Sequence, residues 1–117
     1  MSVSIVYLDD ETDLCEMFEE MFLRTDIQAK AFSEPADFFE YMKAHSPDVI
    51  FLDYRLPNTN GDRIAAQLNS STPKILVTGD LQVKPESPFV KIIKKPYKKQ
   101  QLIDIILELT GHLTNQK

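Results

Sequence analysis

The chain has 117 residues, 26% charged and 43% hydrophobic, with a formal charge of −5. That length supports one globular domain with its own core, spanning 1–117, and is too short for two. The acidic balance argues against a nucleic-acid surface, the single Cys15 rules out an internal disulfide framework, and no stretch approaches the roughly 18 apolar residues of a membrane span. The N-terminus enters an apolar run with no basic segment or cleavage site, so a cytoplasmic protein is expected.

The run Val3 to Leu8 reads as a buried strand of a parallel sheet and is closed by Asp9, Asp10 and Glu11. Leu14, Met17, Phe18, Met21 and Phe22 then recur at helical spacing and are expected to form one buried face, with Cys15 a small filler on the same helix. Ile27 to Phe32 makes a second, weaker strand, interrupted by Gln28 and Lys30. Ser33 is expected to cap the next helix, with Pro35 in its first turn and Phe38, Phe39 and Met42 on its inner face. Ser46-Pro47 ends that helix before a third strand at 48–52, which Asp53 closes.

Asp53 to Gly61 has turn chemistry throughout. A third helix follows, with Ile64, Ala65 and Leu68 inward, then a fourth strand from Pro73 to Thr78. Phe89 to Ile93 is the fifth strand, and Leu102, Ile105, Ile106 and Leu109 mark the last helix. Between strands four and five, Gly79 to Pro88 holds two prolines and no apolar period. An interior proline costs a helix about 3 kcal/mol, so a loop or a single turn is expected there. The tail from about Gly111 is expected to fray or to begin a linker. Five strands alternating with four helices predict an α/β fold in which right-handed crossovers place helices on both faces of a parallel sheet.

In such sheets ligands sit beyond the carboxyl ends of the strands, where Asp9, Asp10 and Asp53 fall. If strands one and three are neighbours, the three acids can reach one hard cation. Mg²⁺ keeps several waters, so one or two carboxylates and a carbonyl would suffice. Taken alone, the cluster reads equally as a helix cap or a solvated strand edge. Thr78, ending strand four, and Lys95, following strand five, tilt the balance. A hydroxyl and an ammonium beside a metal-bound carboxylate make a pocket for an anion, most simply a phosphoryl group on Asp53.

With these residues in place, the chain resembles the receiver domain of two-component response regulators over almost its whole length. The acidic pair after strand one, the Asp-x-x-Leu-Pro-x-x-x-Gly segment from Asp53 to Gly61, Thr78 after strand four and Lys95-Pro96 after strand five stand in family order. The resemblance implies a flavodoxin-like, doubly wound five-stranded sheet of order 2-1-3-4-5. It implies that Asp53 accepts a phosphoryl group from a histidine kinase or a histidine phosphotransfer protein and signals to an output protein or fused domain. By the same resemblance, Asp10, Asp53 and the backbone carbonyl of Arg55 hold Mg²⁺, and Asp9 acts largely through water. Thr78 and Lys95 contact phosphoryl oxygens, Pro57 and Gly61 shape the loop, and Lys95-Pro96 is a cis bond. Catalysis is expected only for the chain's own phosphorylation and dephosphorylation.

Two departures from the family stand out. Sixteen residues separate Thr78 from Lys95, fewer than usual, so the fourth helix is expected to be missing or reduced. Ile92 occupies the position where the family tends to carry Tyr or Phe, and Phe89 is not a substitute. Arg55 and Asp80 border the phosphoryl site in the family: Arg55 could clamp the group or shield it from water, and Asp80 could order a water or be a solvated loop residue. Tyr54 is assigned to packing or surface.

Lys91, Lys94, Lys98 and Lys99 read as a solvated strand edge and helix start, with an acidic partner as the alternative; His45 and His112 are expected to be exposed. The competing functional reading is a degenerate receiver that acts as a constitutive protein-binding module. A small metal-dependent hydrolase has the acids but no evident substrate pocket, and a dinucleotide-binding protein lacks the glycine-rich turn after strand one.

Overall fold

The run Val3–Leu8 forms β1 of a parallel sheet whose central strands, rich in β-branched and aliphatic residues, are buried on both faces, while its two edge strands are partly exposed. The computed structural model describes residues 2–80 and 82–111. After β1 come α1 (Thr12–Met21), β2 (Ile27–Phe32), α2 (Pro35–Ala44), β3 (Val49–Asp53), β4 (Arg55–Leu56), β5 (Thr59–Asn60), α3 (Gly61–Gln67), β6 (Lys74–Thr78), β7 (Lys91–Lys94) and α4 (Lys99–Thr110). The main sheet has the order β2-β1-β3-β6-β7, all parallel, which is the expected 2-1-3-4-5 when the main strands are counted alone. Leu8 pairs with Leu52 and Asp53 with Val77, so the carboxyl ends of β1, β3 and β6 come level and their terminal residues converge.

Alternation along the strands divides the core into two layers. Ile5, Tyr7, Phe51, Ile75, Val77 and Ile93 pack toward Phe18 of α1 and toward Leu102, Ile103 and Ile106 of α4. Val6, Leu8, Ile50 and Leu52 pack toward Phe38 of α2 and toward Ile64 and Ala65 of α3. Among the described residues there are four helices, and none lies between β6 and β7. Leu76, beside Ile92 in the ladder, is fully buried, whereas Ile92 is 51% exposed because no element follows α3 to cover it.

Several expectations need correction. Met17 is 50% exposed: the buried line of α1 runs through Cys15 and Phe18 to Phe22 just beyond its end, which leaves Leu14, Met17 and Met21 on its flank. Ser33 does not cap α2; Pro35 takes the first helical position, so Glu34 is the cap residue, without a side-chain bond. β7 starts at Lys91, because the Phe89 N–H turns back to the Ser87 carbonyl oxygen (2.9 Å) and its ring packs on the α2 and α3 layer. The segment after Asp53 contains a small hairpin, β4 with β5, whose turn places Asn58 at φ 63°.

The Lys95-Pro96 bond is cis, as expected. Gly111 closes α4 in the left-handed conformation, its N–H donating to the Leu107 carbonyl oxygen at 2.8 Å. His112 and the remaining tail lie outside the described residues. His45 is exposed and stacks on Tyr41, and Lys91, Lys94 and Lys98 are exposed. No described helix is long and apolar enough to cross a membrane.

Candidate functional site

Four strand ends build the site. β1 delivers Asp9, fully buried, and Asp10, exposed; β3 ends on Asp53, 4% exposed; β6 ends on Thr78, also buried. β7 leads into Lys95, whose Nζ lies 3.0 Å from Asp9 Oδ2 and 3.1 Å from Asp53 Oδ1. Carboxylate oxygens of Asp9, Asp10 and Asp53 lie within 4.8 Å of one another. The candidate site residues Asp9, Asp10, Asp53, Thr78 and Lys95, together with Arg55 and Asp80, are therefore in or beside one cleft.

Backbone geometry holds Asp53 in place. The Tyr54 N–H donates to the Val77 carbonyl oxygen at 2.8 Å, and the Gly61 N–H donates to the Tyr54 carbonyl oxygen at 2.9 Å. A Cβ on Gly61 would fall 2.5 Å from the Asp53 carbonyl oxygen, so only glycine lets α3 start this close to the end of β3. Tyr54 itself is half-buried.

The electrostatics follow from this crowding. Burial, together with the negative charge of Asp9, pushes the Asp53 carboxyl up to about 6, and Lys95 only partly offsets the shift. Burial works against the Lys95 ammonium, but its bond to Asp9 and the charge of Asp53 outweigh it and hold the group above the usual lysine range. Three converging carboxylates with one ammonium leave a net negative, all-oxygen pocket. That donor chemistry fits a hard divalent cation such as Mg²⁺.

The cleft's other rim is the segment after β6. Thr78 Oγ1 accepts the Asp80 N–H at 3.0 Å, and Asp80 Oδ1 accepts the Gln82 N–H at 2.9 Å. The Arg55 guanidinium reaches across to Asp80 at 3.4 Å and is otherwise largely exposed. At the far end of the segment, Asp62 of α3 accepts the N–H groups of Glu86 (2.7 Å) and Ser87 (2.8 Å), and the Ser87 hydroxyl donates to the Asp62 carbonyl oxygen (3.1 Å). Although burial pulls the other way, these donors hold the Asp62 carboxyl below the usual range. The sequence reading missed Asp62, and it missed Tyr7, whose hydroxyl donates to Asp9 Oδ2. Tyr7 had a readable signal: it precedes Asp9 by two residues in a strand, and so shares its face.

The sequence model of the response regulator receiver domain matches residues 5–107. No curated protein matches the chain. Solved structures do. A CheY-like response regulator receiver domain from Methylobacillus flagellatus is 22% identical over 93% of this chain and 99% of that one, with a TM-score of 0.80. The signal receiver domain of an HD domain-containing protein from Pseudomonas fluorescens Pf-5 is 16% identical over 96% and 97%, with a TM-score of 0.85. The receiver domain of a sensor histidine kinase from Pseudomonas aeruginosa PAO1, solved with a magnesium ion coordinated in its active-site cleft, is 19% identical over 96% and 100%, with a TM-score of 0.79.

Proposed function

The chain belongs to the response regulator receiver domain family, and on that premise we propose that residues 1–117 act as one cytoplasmic signalling receiver whose Asp53 accepts a phosphoryl group from a histidine kinase or a histidine phosphotransfer protein. The observation that carries this reading is the Asp53 carboxylate: buried, held on one oxygen by Lys95, and within 4.8 Å of two further acids.

Asp10, Asp53 and the Arg55 carbonyl would hold Mg²⁺, with Asp9 acting through water. The ion, when bound, supplies charge neutralisation at the phosphoryl oxygens. The Asp53 oxygen that Lys95 leaves free attacks phosphorus as the bond to the donor imidazole breaks. Lys95 Nζ then pairs with a phosphoryl oxygen, and the Thr78 hydroxyl donates to another. The test is intact mass after treatment with a small-molecule acyl phosphate and Mg²⁺. One added phosphoryl group is expected on wild type and none on Asp53→Asn or without Mg²⁺. Addition to the variant would remove Asp53 from the role.

Output to a partner protein or fused domain would run through the segment from Gly79 to Val90. To donate to a phosphoryl oxygen, the Thr78 hydroxyl must give up the long bond it now donates to the Asp80 carbonyl oxygen (3.5 Å). Ile92, exposed where the family tends to carry an aromatic switch, favours a second reading: a degenerate receiver bound constitutively by its partner. Partner affinity unchanged by phosphorylation would select that reading.

A further inference from the structure

Tyr7 is fully buried, with its ring against Phe18 (centroids 4.7 Å apart) and edge-on to Tyr97 (6.1 Å). A phenylalanine would fill the same space, so the hydroxyl is the atom that asks for a reason. It donates to Asp9 Oδ2, the oxygen that also meets Lys95 Nζ at 3.0 Å, while Asp9 Oδ1 accepts the Glu11 N–H at 2.9 Å. A carboxylate offers about four acceptor positions. The protein itself thus fills three of them on Asp9. Asp10 differs sharply: it is exposed, and no protein donor meets its carboxylate among the described residues. Asp53 meets only Lys95 among them.

We infer that Tyr7 is a positioning residue for the cation site: its hydroxyl holds Asp9 Oδ2 against Lys95, withdraws part of the Asp9 charge from the cleft, and leaves Asp10 and Asp53 as the direct ligands. The inference rests on the reading above that the acidic cluster takes Mg²⁺. A chain with an apolar residue at this position would leave Oδ2 to Lys95 alone and its charge more available to the ion. Tyr7 therefore lowers the site's affinity for a divalent cation while fixing the lysine's place beside Asp53.

The experiment is isothermal titration of Mg²⁺ into wild type, Tyr7→Phe, Asp9→Asn and the double variant, each checked for fold by far-UV circular dichroism. Loss of one hydrogen bond to a charged group should tighten Mg²⁺ binding of Tyr7→Phe about fivefold. On the Asp9→Asn background the same substitution should leave the affinity unchanged, because the hydroxyl acts through that carboxylate. Unchanged or weaker binding by Tyr7→Phe overturns the inference and leaves the metal reading standing, as does an equal gain in both backgrounds. A wild type that binds no Mg²⁺ overturns both. A readout independent of the variants' folding is the wild-type proton spectrum. A slowly exchanging hydroxyl proton on Tyr7, with contacts to the Phe18 ring, is expected, and its absence overturns the inference.

Discussion

On one face of the sheet, α1 and α4 cover the strands out to β7, and Ile93 is 2% exposed; on the other, α2 and α3 stop short of β7, and Ile92, one residue earlier in the same strand, is 51% exposed. The two residues have the same side chain and stand side by side in one strand. What separates them is the connection that precedes them. Between β6 and β7 the described residues return the chain with three half-buried apolar side chains, Val83, Pro85 and Phe89, and without a helix. The strand keeps its place through its ladder to β6 and the layer beneath it. A parallel sheet can therefore lose a helix from one face and keep its register, provided the other face is fully covered.

Truncating each residue is the most direct way to break this comparison. Ile93→Ala should lower the unfolding free energy by about 2–5 kcal/mol, and Ile92→Ala by less than about 0.5 kcal/mol, measured by urea denaturation. Similar costs would mean that the second face is covered in solution. Gly61→Ala probes the face that keeps its helices. Its Cβ would meet the Asp53 carbonyl oxygen at 2.5 Å and Leu76 Cδ1 at 3.1 Å. Because the first neighbour is backbone, a loss of about 1–3 kcal/mol is expected, together with slower phosphorylation of Asp53. Retention of both stability and rate would show that α3 can slide away from β3.

The third comparison is between the acids of the two sides. Asp53 has its carboxyl pushed up to about 6, against 3.8 for the ordinary aspartate side chain. The folded state thus holds more protons than the unfolded one between those limits, and the stability contribution of Asp53 falls as pH rises through that window. In metal-free buffer, Asp53→Asn should raise stability by about 1–3 kcal/mol at pH 7.5, with the gain vanishing near pH 4. A gain independent of pH would refute the charge argument. Asp62 has the opposite sign. Its carboxyl is held low, so its contribution is present above the ordinary aspartate range and lost as pH falls below it. Asp62→Ala should cost less than about 1 kcal/mol, yet the amides of Glu86 and Ser87 should exchange with deuterium markedly faster than in wild type. Unchanged exchange would show that the segment is held by something else.

The five strands, and Asp9, Asp53, Thr78 and Lys95 at or just beyond their ends, were legible because each depends on a short-range pattern. The strand order that brings these residues together came from the family resemblance, since apolar runs alone do not say which strands are neighbours. The missing helix was legible for the same local reason, since Pro85, Pro88 and the lack of an apolar period are visible without a fold. What escaped were features decided between segments. Met17 and Phe22 both fit the helical period, and only the packing of α1 on the sheet separates the exposed side chain from the buried one. Tyr7 read as one more apolar strand residue, because its partner is known only once Asp9 is seen turned inward. The Asp62 clamp joins residues 24 and 25 positions apart, a distance no local pattern spans.

Cys15 lies on the buried line of α1, its Sγ donating to the Asp9 carbonyl oxygen at 3.1 Å, and burial pushes its thiol up to about 11. It is the only cysteine in the chain. At neutral pH the group is almost wholly protonated and out of reach of alkylating reagents, so modification must wait for the helix to lift from the sheet. The molecule thus carries a stopwatch beneath its acidic cluster: each captured thiol counts one opening of the floor under Asp9, and ligand or phosphoryl occupancy above can be timed by how far it slows the count.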